Sequence, residues 1–172
     1  MNSATLINQD SGKVEFYTPA YIVDAARAVM GGIDLDPASC SVANRTVKAA
    51  DYFTKNDNGL SREWFGRVWM NHPFEKYKNH LWINKLVAEF RAGRIHQALC
   101  ICYNSASEGW FRPLLEFPQC FLHKRVNYLD FTGEIKQGVT KGSVVTCLGS
   151  HISAFHREFS KLGTVKLPYE PK

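Results

Sequence analysis

Gln97-Ala98-Leu99-Cys100-Ile101-Cys102-Tyr103 is the stretch that decides the fold class. It is continuously apolar and does not alternate, the pattern of a strand buried on both faces beneath helices. Shorter strand-like runs lie on either side of it: Ile33-Asp34-Leu35, Val68-Trp69-Met70, Cys120-Phe121-Leu122 and Ser143-Val144-Val145-Thr146-Cys147-Leu148. Between them the apolar spacing turns helical. Thr18-Pro19 reads as a helix start, with Thr as N-cap and Pro at the first helical position. Ile22, Val23, Ala26, Val29 and Met30 follow on one face, and Gly31-Gly32 stops the helix. A helix near 42–50, an amphipathic helix over 77–90 with Leu81, Leu86, Val87 and Phe90 inward, a helix opening at Ser107-Glu108-Gly109 and a last one over 154–162 complete the set. Strands alternating with helices predict a three-layer α/β domain: a mostly parallel central sheet with helices on both faces.

With 172 residues, 45% of them hydrophobic and 22% charged, the chain can bury a sizeable core. Residues 1–172 read as a single domain, with about 1–14 as a loose arm and no separate target-recognition domain. No apolar run is long enough to span a bilayer, and the start lacks a signal-peptide layout, so a cytoplasmic protein without a membrane partner is expected. Five cysteines without C-x-x-C spacing, Cys100 and Cys102 among them in an apolar run, read as small buried hydrophobes; no metal is expected. The net charge of +5 suits a polyanionic partner. Lys76, Lys78, Lys124 and Arg125 are the candidate phosphate contacts, with Lys85, Arg91 and Arg94 beyond them.

The chemistry sits where strands end, because ligands of open α/β sheets bind beyond the strands' carboxyl ends. Val68-Trp69-Met70 runs directly into Asn71-His72-Pro73-Phe74. An amide oxygen and a neighbouring main-chain carbonyl can accept both hydrogens of a planar amine, proline stiffens the turn, and an aromatic ring can stack on the bound base. Ile33-Asp34-Leu35 runs into Asp36-Pro37-Ala38-Ser39, where a carboxylate and small residues suit a nucleotide-like cofactor or, equally, a capped surface turn. The polar, irregular stretch 41–67 between the two is long for a connection, the mark of a functional loop.

These motifs, with Glu15-Phe16-Tyr17-Thr18-Pro19, Ala43-Asn44-Arg45, Tyr52 to Leu60, Gly66 to Asn71 and Asn104-Ser105-Ala106-Ser107, resemble the phage-type DNA N6-adenine methyltransferase family from about Glu15 to Leu162. The resemblance implies a Rossmann-like fold and S-adenosyl-L-methionine as cofactor. It puts Thr18 and Pro19 near the cofactor's methionine part, Asp34, Asp36, Ala38 and Ser39 in its first loop, and Asp57 near its adenine. It makes Asn71, His72, Pro73 and Phe74 the catalytic turn acting on an adenine extruded from DNA. One departure stands out: His72 occupies the place of the pattern's first proline, and Phe74 that of its tyrosine. Three readings therefore stay open: methyl transfer to DNA adenine, a weak or inactive protein that keeps the fold and binds DNA or cofactor, and transfer to an RNA or protein amide.

Overall fold

The structure, a computed structural model, describes residues 16–136 and 139–169; the expected arm over about 1–14 lies outside them. Helix α1 (Ala20–Met30) leads to strand β1 (Leu35–Asp36), helix α2 (Ser41–Val47) and strand β2 (Asp51–Tyr52). Strand β3 (Gly66–Met70), helix α3 (Asn79–Arg91) and strand β4 (Ile95–Tyr103) follow. A 3-10 segment (Gly109–Glu116) then precedes β5 (Gln119–Leu122), β6 (Ser143–Leu148), α4 (Ile152–Phe159) and β7 (Gly163–Lys166). The seven strands form one sheet in the order β2-β1-β3-β4-β6-β5-β7, which puts the run that began the sequence reading at its centre.

The expectation of a mostly parallel sheet needs correction. The pairs β1–β2, β1–β3 and β3–β4 are parallel, whereas β4–β6, β5–β6 and β5–β7 are antiparallel. Strands β1 to β5 all point the same way, but β6 is wedged against β4 and β5 in the opposite sense. A buried antiparallel strand has the same unbroken apolar composition as a parallel one when both its faces are covered, so composition hides direction.

Both faces are covered. Leu99 and Ile101 of β4 pack with Ile22, Val23 and Ala26 of α1 and with Phe155 and Phe159 of α4. Their neighbours Ala98, Cys100 and Cys102 point the other way, against Ile83 and Leu86 of α3 and Phe111 and Leu114 of the 3-10 segment. Strand alternation delivers the two sets to opposite sides, and each large aliphatic side chain so buried contributes about 1.5–3 kcal/mol. Cys100, Cys102, Cys120 and Cys147 are free and buried within these layers.

Two helix readings shift. Helix α1 begins at Ala20 with Pro19 as N-cap, and Thr18 makes no capping bond. Tyr17 exchanges both main-chain hydrogen bonds with Leu129 (2.8 and 2.9 Å), which holds the chain extended up to the proline. On α3 the inner face is Trp82, Ile83, Leu86 and Val87, and Leu81 is 43% exposed. The edge strands β2 and β7 escape the apolar-run reading because their side chains are largely exposed.

The start of β1 is clamped to β3 by one ion pair. Arg67 Nε and Nη2 donate to the two carboxylate oxygens of Asp34, each at 2.8 Å, and the Arg67 main-chain N–H adds a third bond at 2.7 Å. These bonds, led by that from the guanidinium, hold the Asp34 carboxyl down at about 2. The approach is close enough to require glycine next door. Gly66 has φ of +66°, and a Cβ there would lie 2.5 Å from Asp34 Oδ2. Gly66→Ala is therefore expected to destabilise the fold by roughly 2–4 kcal/mol, read as a lower urea midpoint; an unchanged midpoint would show that the clamp tolerates a side chain.

Candidate functional site

Strands β1, β3 and β4 end at the same edge of the sheet, and a cavity of about 230 Å³ opens there. Its walls come from five segments: Phe16 to Thr18 before α1, Asp36 to Cys40 at the end of β1, Ala43 and Val47 of α2, Thr54, Lys55 and Asn58 to Leu60 after β2, and Trp69, Asn71 to Pro73, Glu75 and Lys78 around the end of β3, with Trp82 of α3 behind. Side chains from distant parts of the chain thus meet because the parallel strands deliver their following loops to one edge.

Asn71 leaves β3 with its amide split between two tasks. Nδ2 donates to the Phe16 carbonyl at 2.6 Å, and Oδ1 is buried with no protein partner. The flipped amide would oppose two carbonyl oxygens, so the acceptor is fixed as the unpaired atom. His72 is 1% exposed; its Nδ1 lies 2.9 Å from the Pro73 carbonyl, and its Nε2 is buried without a partner. Burial pushes the ring down to about 4 despite the Pro73 bond, so it is neutral at ordinary pH. Four buried side-chain polar atoms without a protein partner belong to residues of this cavity: Thr18 Oγ1, Trp69 Nε1, Asn71 Oδ1 and His72 Nε2. Unpaired polar atoms normally cost about 1–3 kcal/mol each, so their concentration among the residues of one cavity sets it apart from the apolar core.

Asp36 is 2% exposed and accepts from the Ala38 main-chain N–H at 3.2 Å. Burial raises its carboxyl to about 7, against the pull of that bond and of the Ser39 hydroxyl beside it. Ala38 and Ser39 line the cavity beside it, as does Thr18, whose hydroxyl faces no protein acceptor. Four other residues predicted for the site stand elsewhere. Pro19 caps α1 and is not a cavity wall; Asp34 is turned to Arg67. Asp57 accepts from the Thr54 main-chain N–H (2.8 Å) and hydroxyl (2.6 Å), so it shapes the loop that brings Thr54, Lys55 and Asn58 to the cavity without lining it. Phe74 is also absent from the wall: its ring stacks on Tyr103 at 4.4 Å and stands 6.1 Å from Phe16 at an interplanar angle of 26°. Pro73 lines the cavity as expected.

The sequence reading missed Trp69, Gly59 and Trp82 as wall residues. Gly59 carried a usable signal, the turn pair Asn58-Gly59. A Cβ at Gly59 would fall 2.0 Å from the Pro37 carbonyl oxygen, so this loop can pack onto the β1 turn only with glycine, and Trp64 Nε1 pins it by donating to the Gly59 carbonyl at 2.8 Å.

The expected cations divide. Lys78 lines the cavity and pairs with Glu75 at 2.5 Å, and Lys76 lies over the Tyr77 ring. Lys85 and Arg94 are both tied to Glu89, and Arg91 to Glu116, so these three serve α3. Lys124 and Arg125 are exposed just after β5, whose end faces the same sheet edge as the cavity, and neither is in an ion pair among the described residues. Among those residues there is no group of three or more His, Cys, Asp or Glu side chains placed to hold a metal, and no helix long and apolar enough to cross a membrane.

The strand ends of this mixed α/β sheet thus gather, around one cavity, residues carrying an unpaired Asn oxygen, a buried carboxyl and an unpaired Thr hydroxyl. The chain matches the family model for DNA N-6-adenine-methyltransferase (Dam) over residues 7–162 and belongs to that family. No curated protein matches it.

The buried carboxyl yields a test. A carboxyl raised to about 7 lowers stability progressively as pH rises from its ordinary value near 3.8 to about 7. His72, lowered to about 4, acts in the opposite sense between 4 and its ordinary 6.5, so native and Asp36→Asn chains are to be compared at each pH. The variant's urea stability relative to native is expected to grow between pH 4 and 7 and then level off, by up to ~4 kcal/mol; parallel curves would refute the burial of an ionisable Asp36.

Proposed function

We propose that this chain transfers a methyl group from S-adenosyl-L-methionine to the exocyclic N6 of adenine in DNA. The observation that carries the reading is Asn71 Oδ1: a buried, unpaired acceptor on the wall of a cavity at the strand ends, in a chain of this family. The sheet supports a Rossmann-like methyltransferase fold, with five strands in one direction and β6 inserted antiparallel between β4 and β5. Two bacterial settings follow from the family resemblance, a phage-infected or a prophage-carrying cell, with the reaction in the cytoplasm.

The residues present fit the donor. Asp36 offers a buried acceptor to an amino or hydroxyl group, Thr18 offers an unpaired hydroxyl, Ser39 a hydroxyl beside Asp36, and Ala43, Val47 and Leu60 offer apolar wall. When bound, the donor supplies an electrophilic sulfonium methyl. The chain's own task is positioning. The amine of adenine is a poor nucleophile because its lone pair is delocalised into the ring. Acceptance of its hydrogens by Asn71 Oδ1 and by the residue-72 carbonyl favours a pyramidal nitrogen and fixes its direction, so orientation and preorganised dipoles provide most of the acceleration. The amine is inaccessible inside a duplex, which requires the base to be extruded. Phe16, Phe74 and Tyr103 stack on one another beside the turn and so buttress it. Lys124, Arg125 and Lys76, at or near the same edge, suit phosphates, which fix register without reading sequence.

Incubating the purified chain with labelled donor and unmethylated DNA, RNA and protein in parallel, followed by nucleoside mass spectrometry, tests the reading; N6-methyladenine in the DNA arm is the expected product. Asn71→Ala should lower transfer by roughly 10²–10³-fold while the chain stays folded, with a melting temperature lowered modestly by loss of the bond to the Phe16 carbonyl. Equal transfer by that variant, or methyl appearing only on RNA or protein, would overturn the assignment.

A further inference from the structure

His72 occupies the position where the family pattern has proline, a residue with no hydrogen-bonding side chain, and its ring is held in a way a tolerated replacement does not need. Nδ1 lies 2.9 Å from the Pro73 carbonyl oxygen. A carbonyl can only accept, so in the neutral ring Nδ1 carries the hydrogen and Nε2 presents a bare lone pair. The ring cannot easily turn away, because it stands edge-on to Phe74 at 5.6 Å and to Trp110 at 6.2 Å, with interplanar angles of 75° and 86°. Nε2 is buried and meets no protein donor, and the residue lines the cavity immediately beside Asn71. A histidine kept only for packing would have its second nitrogen paired or in bulk water.

We propose that His72 Nε2 is a second side-chain acceptor in the site, taking one N–H of the ligand's amino group while Asn71 Oδ1 takes the other, so that the pair selects a base edge bearing an NH2. The proposal rests on the reading of the cavity as an amine site and adds a residue to it. An amino group has two hydrogens, and the adjacent residues 71 and 72 supply two buried acceptors with nothing else to accept from. With His72 in this role the main-chain carbonyl of residue 72 is no longer the sole partner for the second hydrogen, and the turn gains discrimination against a base edge that presents a carbonyl, whose oxygen would face two lone pairs. His72 here is a positioning and selecting group; no proton is transferred to it.

Three chains decide the matter: native, His72→Phe, which keeps an aromatic ring without the acceptor, and His72→Gln, whose side-chain oxygen reaches close to the Nε2 position. Transfer to an oligonucleotide with one adenine is expected to fall roughly 10–100-fold in kcat/KM for His72→Phe and to recover most of that loss in His72→Gln. The second readout needs no turnover. In the native chain labelled with 15N histidine, His72 should show the Nδ1–H form. Its Nε2 signal should move upfield when an adenine-containing single strand is added, and stay put with the same strand carrying purine, which lacks the amine. A His72→Phe chain as active as native, an Nε2–H form, or equal shifts with adenine and purine would overturn the proposal. A native chain that transfers no methyl yet shows the adenine-specific shift would sink the methyltransferase reading and leave His72 standing.

Discussion

The hydrogen bond from Asn71 Nδ2 to the Phe16 carbonyl, 2.6 Å long, is the constraint on which the site depends. A primary amide is donor and acceptor at once, and which end faces a ligand decides whether it can grip an amine or a carbonyl. By engaging the donor end on the main chain, the fold leaves the acceptor end for the cavity. The carbonyl that does this belongs to a segment 55 residues away. That segment is itself positioned by the paired bonds between Tyr17 and Leu129. The chemistry of one side chain therefore rests on three separate parts of the chain converging at the end of β3.

That convergence is a property of the sheet. Met70, Trp69 and Val68 are fully buried, Trp69 in one apolar layer and Val68 and Met70 in the other, so a one-residue slip of β3 would force the tryptophan into the wrong layer. Register is pinned again at the far end, where Arg67 and Asp34 clamp β3 to the start of β1 beside a glycine with no room for a side chain. With both ends of the strand fixed, Asn71 emerges at one place only. The aspartate that the sequence suggested as a ligand-binding group serves the site from a distance, by holding the strand that carries it.

Much of the architecture could be read from apolar runs alone: β4 at the centre, β6 residue for residue, the stop of α1 at Gly31, and the turn after β3. What could not be read has physical causes. Direction is invisible in a strand buried on both sides, so the antiparallel insertion of β6 went unforeseen. Edge strands such as β2 and β7 have no apolar run to show. Thr18 looked like a cap because threonine before proline usually is one, but a main-chain bridge held it extended and left its hydroxyl to the cavity. At the site, Asn71, His72, Pro73, Asp36, Ala38, Ser39 and Thr18 come together, since each ends or follows a strand or precedes a helix at the same edge. Asp57 and Phe74 do not, because their partners, Thr54 for the one and Tyr103 for the other, lie where no spacing rule points.

The unpaired atoms of the cavity distinguish it from the apolar layers that form the core. The Thr18 hydroxyl, an indole N–H, an amide oxygen and an imidazole nitrogen, all without protein partners, would together weaken a structure meant only to be stable. They stand beside a carboxyl that burial holds near neutrality. Their pattern is mixed, a hydroxyl and an indole N–H able to donate, the carboxyl, Asn71 and His72 able to accept, and this matches a ligand that carries both kinds of group. A protein can keep such atoms unpaired only if the rest of the fold is stable without them, and here the two apolar layers on either face of β4 supply that stability. The replacement of proline by histidine in the turn fits the same logic: it adds one more acceptor to a wall that already tolerates unpaired atoms, at a position where the surrounding rings of Phe74 and Trp110 keep the nitrogen in place.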